Sequence, residues 1–214
     1  MNNYKLAELA ITSLKICYKE AACSLIYENE LQLLISARLS AKCKDARVNN
    51  VTPALFSQFK NLEDFCKADI LKIENIIKPC GLYKTKAIQI IGMCKMLKKV
   101  YNSKIPDNIQ ELIKLPGIGR KIANLIVGEI FKKPAVIVDT HCFRITKRLG
   151  LQNENNEIKA EAILRKILPK EESRDFCHRL VVHGRLVCRI KPICENCCMN
   201  SFCKKHITQN FANT

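Results

Sequence analysis

No apolar run in these 214 residues approaches the roughly 18 that a membrane-spanning helix needs, so no membrane association is expected. The opening stretch MNNYKLAELAITSLK is a broken amphipathic pattern without the continuous apolar core of a signal peptide. Sustained period-two alternation, an Asn-Gly hairpin signal and a βαβ rhythm are all missing, which excludes a sheet-based fold. No low-complexity linker divides the chain. Acidic residues are scarce beside basic ones: 20 Asp and Glu against 36 Lys and Arg leave a net charge of +16. Such an excess favours a polyanion, because each cation set on a phosphate releases condensed counterions; the alternative is a merely solvated basic surface.

Thirteen cysteines are present, an odd number scattered along the chain, which argues against a secreted disulfide scaffold. A reducing, intracellular compartment (cytoplasm or nucleoid) is the expected location, and there close cysteines bind metal more often than each other. The remaining pattern is helical, over Tyr4–Tyr18, Glu30–Ala41, Asp45–Phe59, Asp69–Lys78, Lys84–Val100, Asn108–Lys114, Gly119–Phe131, Asp139–Arg148, Asn156–Leu168 and Glu171–Cys188. In the first of these, Leu6, Leu9, Ala10, Ile16 and Cys17 fall near one face; in the second, Leu33, Leu34, Ala37 and Leu39 are core candidates. Pro53 is tolerable only near a break or a first turn. Ala135 to Val138 is the one strand-like run, too short to decide. The fold class expected is all-α.

Between two helical patterns lies Leu115-Pro116-Gly117-Ile118-Gly119. The glycines permit close approach of another chain, and the helix starting near Arg120 turns its unpaired N–H groups and positive dipole end toward that space, as a phosphate site would. Ile118 would pin the turn to the core. A plain helix–turn–helix connector is the competing reading. Lys121 falls in the first turn of that helix; there the dipole, partial burial and neighbouring Arg120 all favour the neutral amine that a nucleophile requires. Asp139 precedes the next helix and can cap it through the N–H of His141 or Cys142, leaving one oxygen for chemistry.

Cys188, Cys194, Cys197 and Cys203 read C-x5-C-x2-C-x5-C, with Cys198 as an extra neighbour. Four thiolates at that spacing suit zinc or an iron–sulfur cluster in a structural or docking role, and Arg189 and Lys191 between the first two would present positive charge to DNA. The other eight cysteines are expected to be small core residues.

LPGIGRKIAN (115–124), VDTHCFR (138–144), HGRLVC (183–188) and the cysteine cluster together resemble the endonuclease III family of DNA glycosylases, within the helix-hairpin-helix group. Weaker matches are LLISARLSAKCKD (33–45) and GLYKTKA (81–87). The resemblance implies two helical domains flanking a DNA groove: a helical barrel with the helix-hairpin-helix at 22–133, and a discontinuous domain of 1–21 and 134–214 carrying a [4Fe–4S] cluster on the four cysteines. It implies duplex DNA with damaged or abasic nucleotides as partner, and base excision repair of oxidised pyrimidines as function. Lys121 would be the Schiff-base nucleophile and Asp139 its helper. Pro116, Gly117, Ile118, Gly119 and Arg120 would hold DNA, with His141 near the substrate or a phosphate and Lys42 and Leu82 as wedges. Two departures stand out: the family has six residues between its first two cluster cysteines where this chain has five, and its wedge glutamine falls on Lys42. A monofunctional mismatch glycosylase and a non-catalytic DNA-binding protein are the alternatives. No second protein chain is implied, and a monomer is expected.

Overall fold

The computed structural model describes residues 2–205, and among these the regular structure is entirely helical. Its α-helices are α1 (Asn3–Cys17), α2 (Glu30–Leu39), α3 (Asp45–Gln58), α4 (Leu62–Cys66), α5 (Ile70–Ile77), α6 (Tyr83–Val100), α7 (Ile109–Leu112), α8 (Arg120–Glu129), α9 (Thr140–Leu149), α10 (Glu157–Ile167) and α11 (Ser173–Leu186). The chain divides into two compact units, with boundaries at Ala22/Cys23 and Lys132/Lys133, so that the N-terminal helix belongs with the C-terminal part.

The Cys23–Lys132 unit is built around α2. Seven of its ten residues, Leu33 through Leu39, are buried, so this helix is enclosed rather than one-sided; α3, α6 and α8 pack on it. Burial of Leu33, Leu34, Leu39, Leu55, Ile73, Ile77 and Ile90 forms the core, each contributing roughly 1.5–3 kcal/mol. Most helices here start on a side-chain cap: Asn29, Asn61, Asp69 and Asn108 each accept a backbone N–H of the first turn. The starts of α3, α6 and α8, at Lys44, Leu82 and Gly119, have no such bond.

In the other unit α1 packs on α10 and α11, and α9 packs on α11, around Leu14, Leu164, Phe176 and Leu180. Ala135 to Val138 is buried without joining a ladder. The Ile137 N–H instead donates to Cys177 Sγ at 3.3 Å.

Several expectations need correction. Pro53 lies inside α3 rather than at a break. It is exposed, so the carbonyl four residues earlier, which a proline cannot bond, can turn to water. Leu9 and Ile16 are exposed; the buried face of α1 is Leu6, Ala7, Ala10, Ile11 and Leu14, because small alanines allow the close approach of α11. Cys17, at the end of that helix, is exposed as well, while Cys80, Cys94, Cys142 and Cys177 are buried as expected. The five-residue α4, fixed by a reciprocal capping box between Asn61 and Asp64, was not foreseen.

Candidate active site and cysteine centre

The hairpin lies wholly within the Cys23–Lys132 unit. Ile118 is buried, anchoring the turn, and Pro116 rests against Gly92 of α6. Gly117 has φ +79°, a left-handed conformation that costs a side-chain-bearing residue about 1–2 kcal/mol. A Cβ there would also overlap the Arg38 side chain and the Gln89 amide oxygen, so glycine serves both backbone and contact. Gly119 is extended and serves as N-cap of α8 without any side-chain cap. Nothing lies within 4 Å of where its Cβ would be, so the outer face of the turn is open.

Lys121 is the second residue of α8. Its side chain is exposed, against the expectation of partial burial, because the buried face of the helix begins only at Ala123. One electrostatic neighbour is Cys23, a residue the sequence reading placed in the core. Burial pushes that thiol up to about 11, and the Lys121 charge acts in the opposite direction. Arg120 is half-buried.

Lys42 and Leu82 are both exposed, and both adopt left-handed backbone conformations, with φ of 54° and 49°. Leu82 is 58% exposed, and it stands at the uncapped start of α6. Two non-glycine residues held in sparsely populated backbone at the surface carry strain of the kind that accumulates at functional sites.

In the other unit Asp139 caps α9 by accepting the Cys142 N–H on Oδ1 at 2.8 Å. The remaining carboxylate oxygen has no hydrogen-bond partner among the described residues. Arg144 Nη2 lies 3.2 Å from His141 Nδ1, so His141 has a structural bond on that nitrogen. Gly184 lets the His141 ring come close, since a Cβ there would overlap it.

Cys188, Cys194, Cys197 and Cys203 line one void, together with Arg148 and Asn200. Two arginines of α9 hold the loop that enters it. Arg144 donates to the Cys188 carbonyl at 2.8 Å, and Arg148 donates to the carbonyls of Arg189 (2.5 Å) and Ile190 (2.9 Å) and to Cys188 Sγ (3.3 Å). Arg189 and Lys191 are thereby presented on an exposed loop. Behind the void, His183 is buried, which pulls its pKa down from 6.5 to about 4 and keeps it neutral at pH 7. Its Nδ1 is 2.9 Å from the Tyr18 hydroxyl and its Nε2 is 3.5 Å from Cys197 Sγ. Arg148, His183 and Tyr18 were missed by sequence reasoning. The HGRLVC motif contains His183, yet only the fold reveals what the imidazole touches. Among the described residues no three His, Cys, Asp or Glu side chains are gathered as they would be around a single ion.

The regular structure of the described residues is helical throughout, and the open turn between two helices with a lysine just beyond it is a helix-hairpin-helix. The family described as "HhH-GPD superfamily base excision DNA repair protein" matches residues 35–170, more than half of the chain. Endonuclease III of Bacillus subtilis is 37% identical over 207 residues, covering 96% of this chain and 94% of that one. Endonuclease III of Synechocystis is 38% identical over 192 residues, covering 89% and 88%. The chain belongs to the endonuclease III family. Among solved structures, a non-covalent endonuclease III–DNA complex superposes with a TM-score of 0.92 at 36% identity, covering 99% of this chain and all of that one. A trapped endonuclease III–DNA covalent intermediate also matches at 0.92 and 36%, covering 98% and 100%. A thermostable thymine-DNA glycosylase, at 22% identity and a TM-score of 0.87 over 95% and 98%, shares the fold.

Proposed function

We propose that this protein is a bifunctional DNA glycosylase and abasic-site lyase that removes oxidised pyrimidines from duplex DNA. The observation that carries this reading is Lys121 itself: an exposed amine on the first turn of a helix whose N-terminus is uncapped and whose preceding turn is open. The target nucleotide is taken out of the stack. The hairpin Pro116 to Gly119, with Arg120, holds a backbone phosphate, while Lys42 and Leu82 fill the gap left by the extruded base. His141, Arg189 and Lys191 add contacts to the DNA.

The Lys121 amine attacks C1′ of the damaged nucleotide, the C1′–N bond breaks, and the base departs with the bonding pair. Loss of the amine proton and opening of the sugar leave an iminium on Lys121. Removal of a C2′ proton then expels the 3′ phosphate, cutting the strand. Asp139, with one oxygen engaged in capping and one available, takes up the amine proton or stabilises the positive charge on the sugar. A lysine at position 121 disfavours a monofunctional mismatch glycosylase, which has no use for an amine nucleophile. A merely DNA-binding protein has no use for Lys121 and Asp139 together.

Four thiols around one void are the donor set of a [4Fe–4S] cluster, which Cys188, Cys194, Cys197 and Cys203 would hold. When bound it would supply a rigid tie for the Arg189–Lys191 loop. The protein acts as an intracellular monomer; among the described residues no helix is long and apolar enough to cross a membrane. Borohydride trapping on abasic-site duplex tests the lyase assignment. The wild type should form a covalent adduct and Lys121→Gln should not; equal trapping by both would remove the lysine mechanism. Iron and sulfide analysis of the purified protein tests the cluster, and zinc in place of iron would overturn it.

A further inference from the structure

Beneath the hairpin sits a cation that the sequence pattern did not single out. Arg38, on the enclosed helix α2, is only 7% exposed. Its Nε and Nη2 both donate to the Gln89 amide oxygen, at 2.7 and 2.5 Å. Gln89 is neutral, and among the described residues no carboxylate pairs with Arg38. Burying a guanidinium against an amide leaves its charge uncompensated, which costs stability unless an anion is supplied from elsewhere. Burial alone already lowers its pKa.

The location of that charge suggests which anion is missing. Arg38 and the Gln89 oxygen lie so close under Gly117 that any side chain there would overlap them. A second buried cation adds to the same field: Lys86 of α6, fully buried, donates only to the carbonyls of Leu39 (2.7 Å) and Cys80 (2.9 Å) and feels the charge of Arg38. The uncapped N-terminus of α8 contributes a third source of positive potential beside the turn. Arg38 and the start of α8 thus place positive potential at the hairpin, Lys86 adds its charge beside Arg38, and neither buried cation has a protein counterion among the described residues.

We propose that the Arg38 guanidinium is part of the hairpin's anion site, so that a DNA backbone phosphate resting on Gly117 to Gly119 serves as its counterion. This inference rests on the reading of the hairpin as the DNA phosphate site and adds a buried side chain to the hairpin backbone and Arg120. Gln89 acts as the positioning residue: its amide oxygen orients the guanidinium without neutralising it, which a carboxylate in its place would do.

The test is equilibrium binding of the full-length protein to an abasic-analogue duplex across a salt series. Arg38→Met keeps the length of the stem and removes the charge. It should bind about tenfold more weakly at moderate salt, as loss of one charged hydrogen bond implies. Its plot of log K against log salt should be shallower by about 0.9, as loss of one phosphate contact implies. Gln89→Glu gives Arg38 a protein counterion; it should raise the melting temperature while weakening DNA binding. A scan of single neutral methylphosphonate linkages completes the cycle: one linkage should weaken the wild type and leave Arg38→Met unaffected. If Arg38→Met or Gln89→Glu keeps the wild-type slope, or if every linkage acts equally on wild type and Arg38→Met, Arg38 is a packing residue and the inference fails alone. If the wild type itself binds without salt dependence, the phosphate reading of the hairpin fails with it.

Discussion

Tyr18 and His183 are joined by a 2.9 Å hydrogen bond between the phenol oxygen and Nδ1, and the opposite nitrogen of the same ring lies 3.5 Å from Cys197 Sγ. A metal-bound thiolate has no proton to give, so with a cluster held at Cys197 the Nε2–H would donate to the sulfur and Nδ1 would accept from Tyr18. Tyr18 keeps its proton, since burial and the nearby Cys198, Cys17 and Cys197 push its pKa up to about 12. The first residue of this relay follows α1 and the last lies in the cysteine loop, so the relay ties the two ends of the chain together.

Tyr18→Phe should therefore leave a buried imidazole nitrogen unsatisfied at a cost of about 1–3 kcal/mol, and release the tautomer that directs Nε2–H at Cys197. Thermal unfolding should show the lost stability, and the spectroscopic signature of the proposed iron centre should change. A wild-type melting temperature together with an unaltered iron spectrum would mean that the relay has no influence on the centre.

Asp139 has two separable duties. Asparagine caps a helix about as well as aspartate, so Asp139→Asn should hold stability within about 0.5 kcal/mol while greatly slowing strand cleavage. Asp139→Ala loses the cap as well, and should cost about 1 kcal/mol in denaturant unfolding. Full lyase activity in the asparagine variant would reduce Asp139 to a capping residue.

For Lys121→Gln, DNA binding should persist within a few-fold, because the hairpin backbone is untouched, but no borohydride adduct should form. Since Lys121 is exposed at a helix start, unfolding should shift by no more than about 0.5 kcal/mol. Loss of binding equal to the loss of trapping would point to docking rather than chemistry.

Leu82 is held at φ 49° with 58% of its surface exposed, a conformation that favours glycine and a side chain that favours burial. Leu82→Gly should relieve about 1 kcal/mol of backbone strain and leave the fold at least as stable. Release of a damaged base from duplex should nevertheless slow, because Lys42 alone is then left to fill the gap. Undiminished base release would show that the strain at Leu82 serves some other purpose.

The helices were legible wherever a long apolar period marked them, because that signal is local. The start at Asp139 and its capping of the N–H of His141 or Cys142 could be foreseen from chain order, and the fold gives the bond to Cys142. Short α4 could not, since five residues carry no readable period, and its capping box is visible only once Asp64 is seen reaching back. The face of α1 was misread because its burial is decided by alanines that fit against α11, a property of the neighbour rather than of the helix.

Chain chemistry by itself determined the all-helical class, the glycine-bearing turn, the lysine beyond it and the four closely spaced thiols, since each depends on residue type and short spacing. Only the tertiary structure decided which charges are left without counterions and which rings face which sulfurs. Arg38 reaches Gln89 across 51 positions, and Tyr18 reaches His183 across 165. Contacts of that range are set by how helices pack, and packing is a collective property that no local pattern encodes.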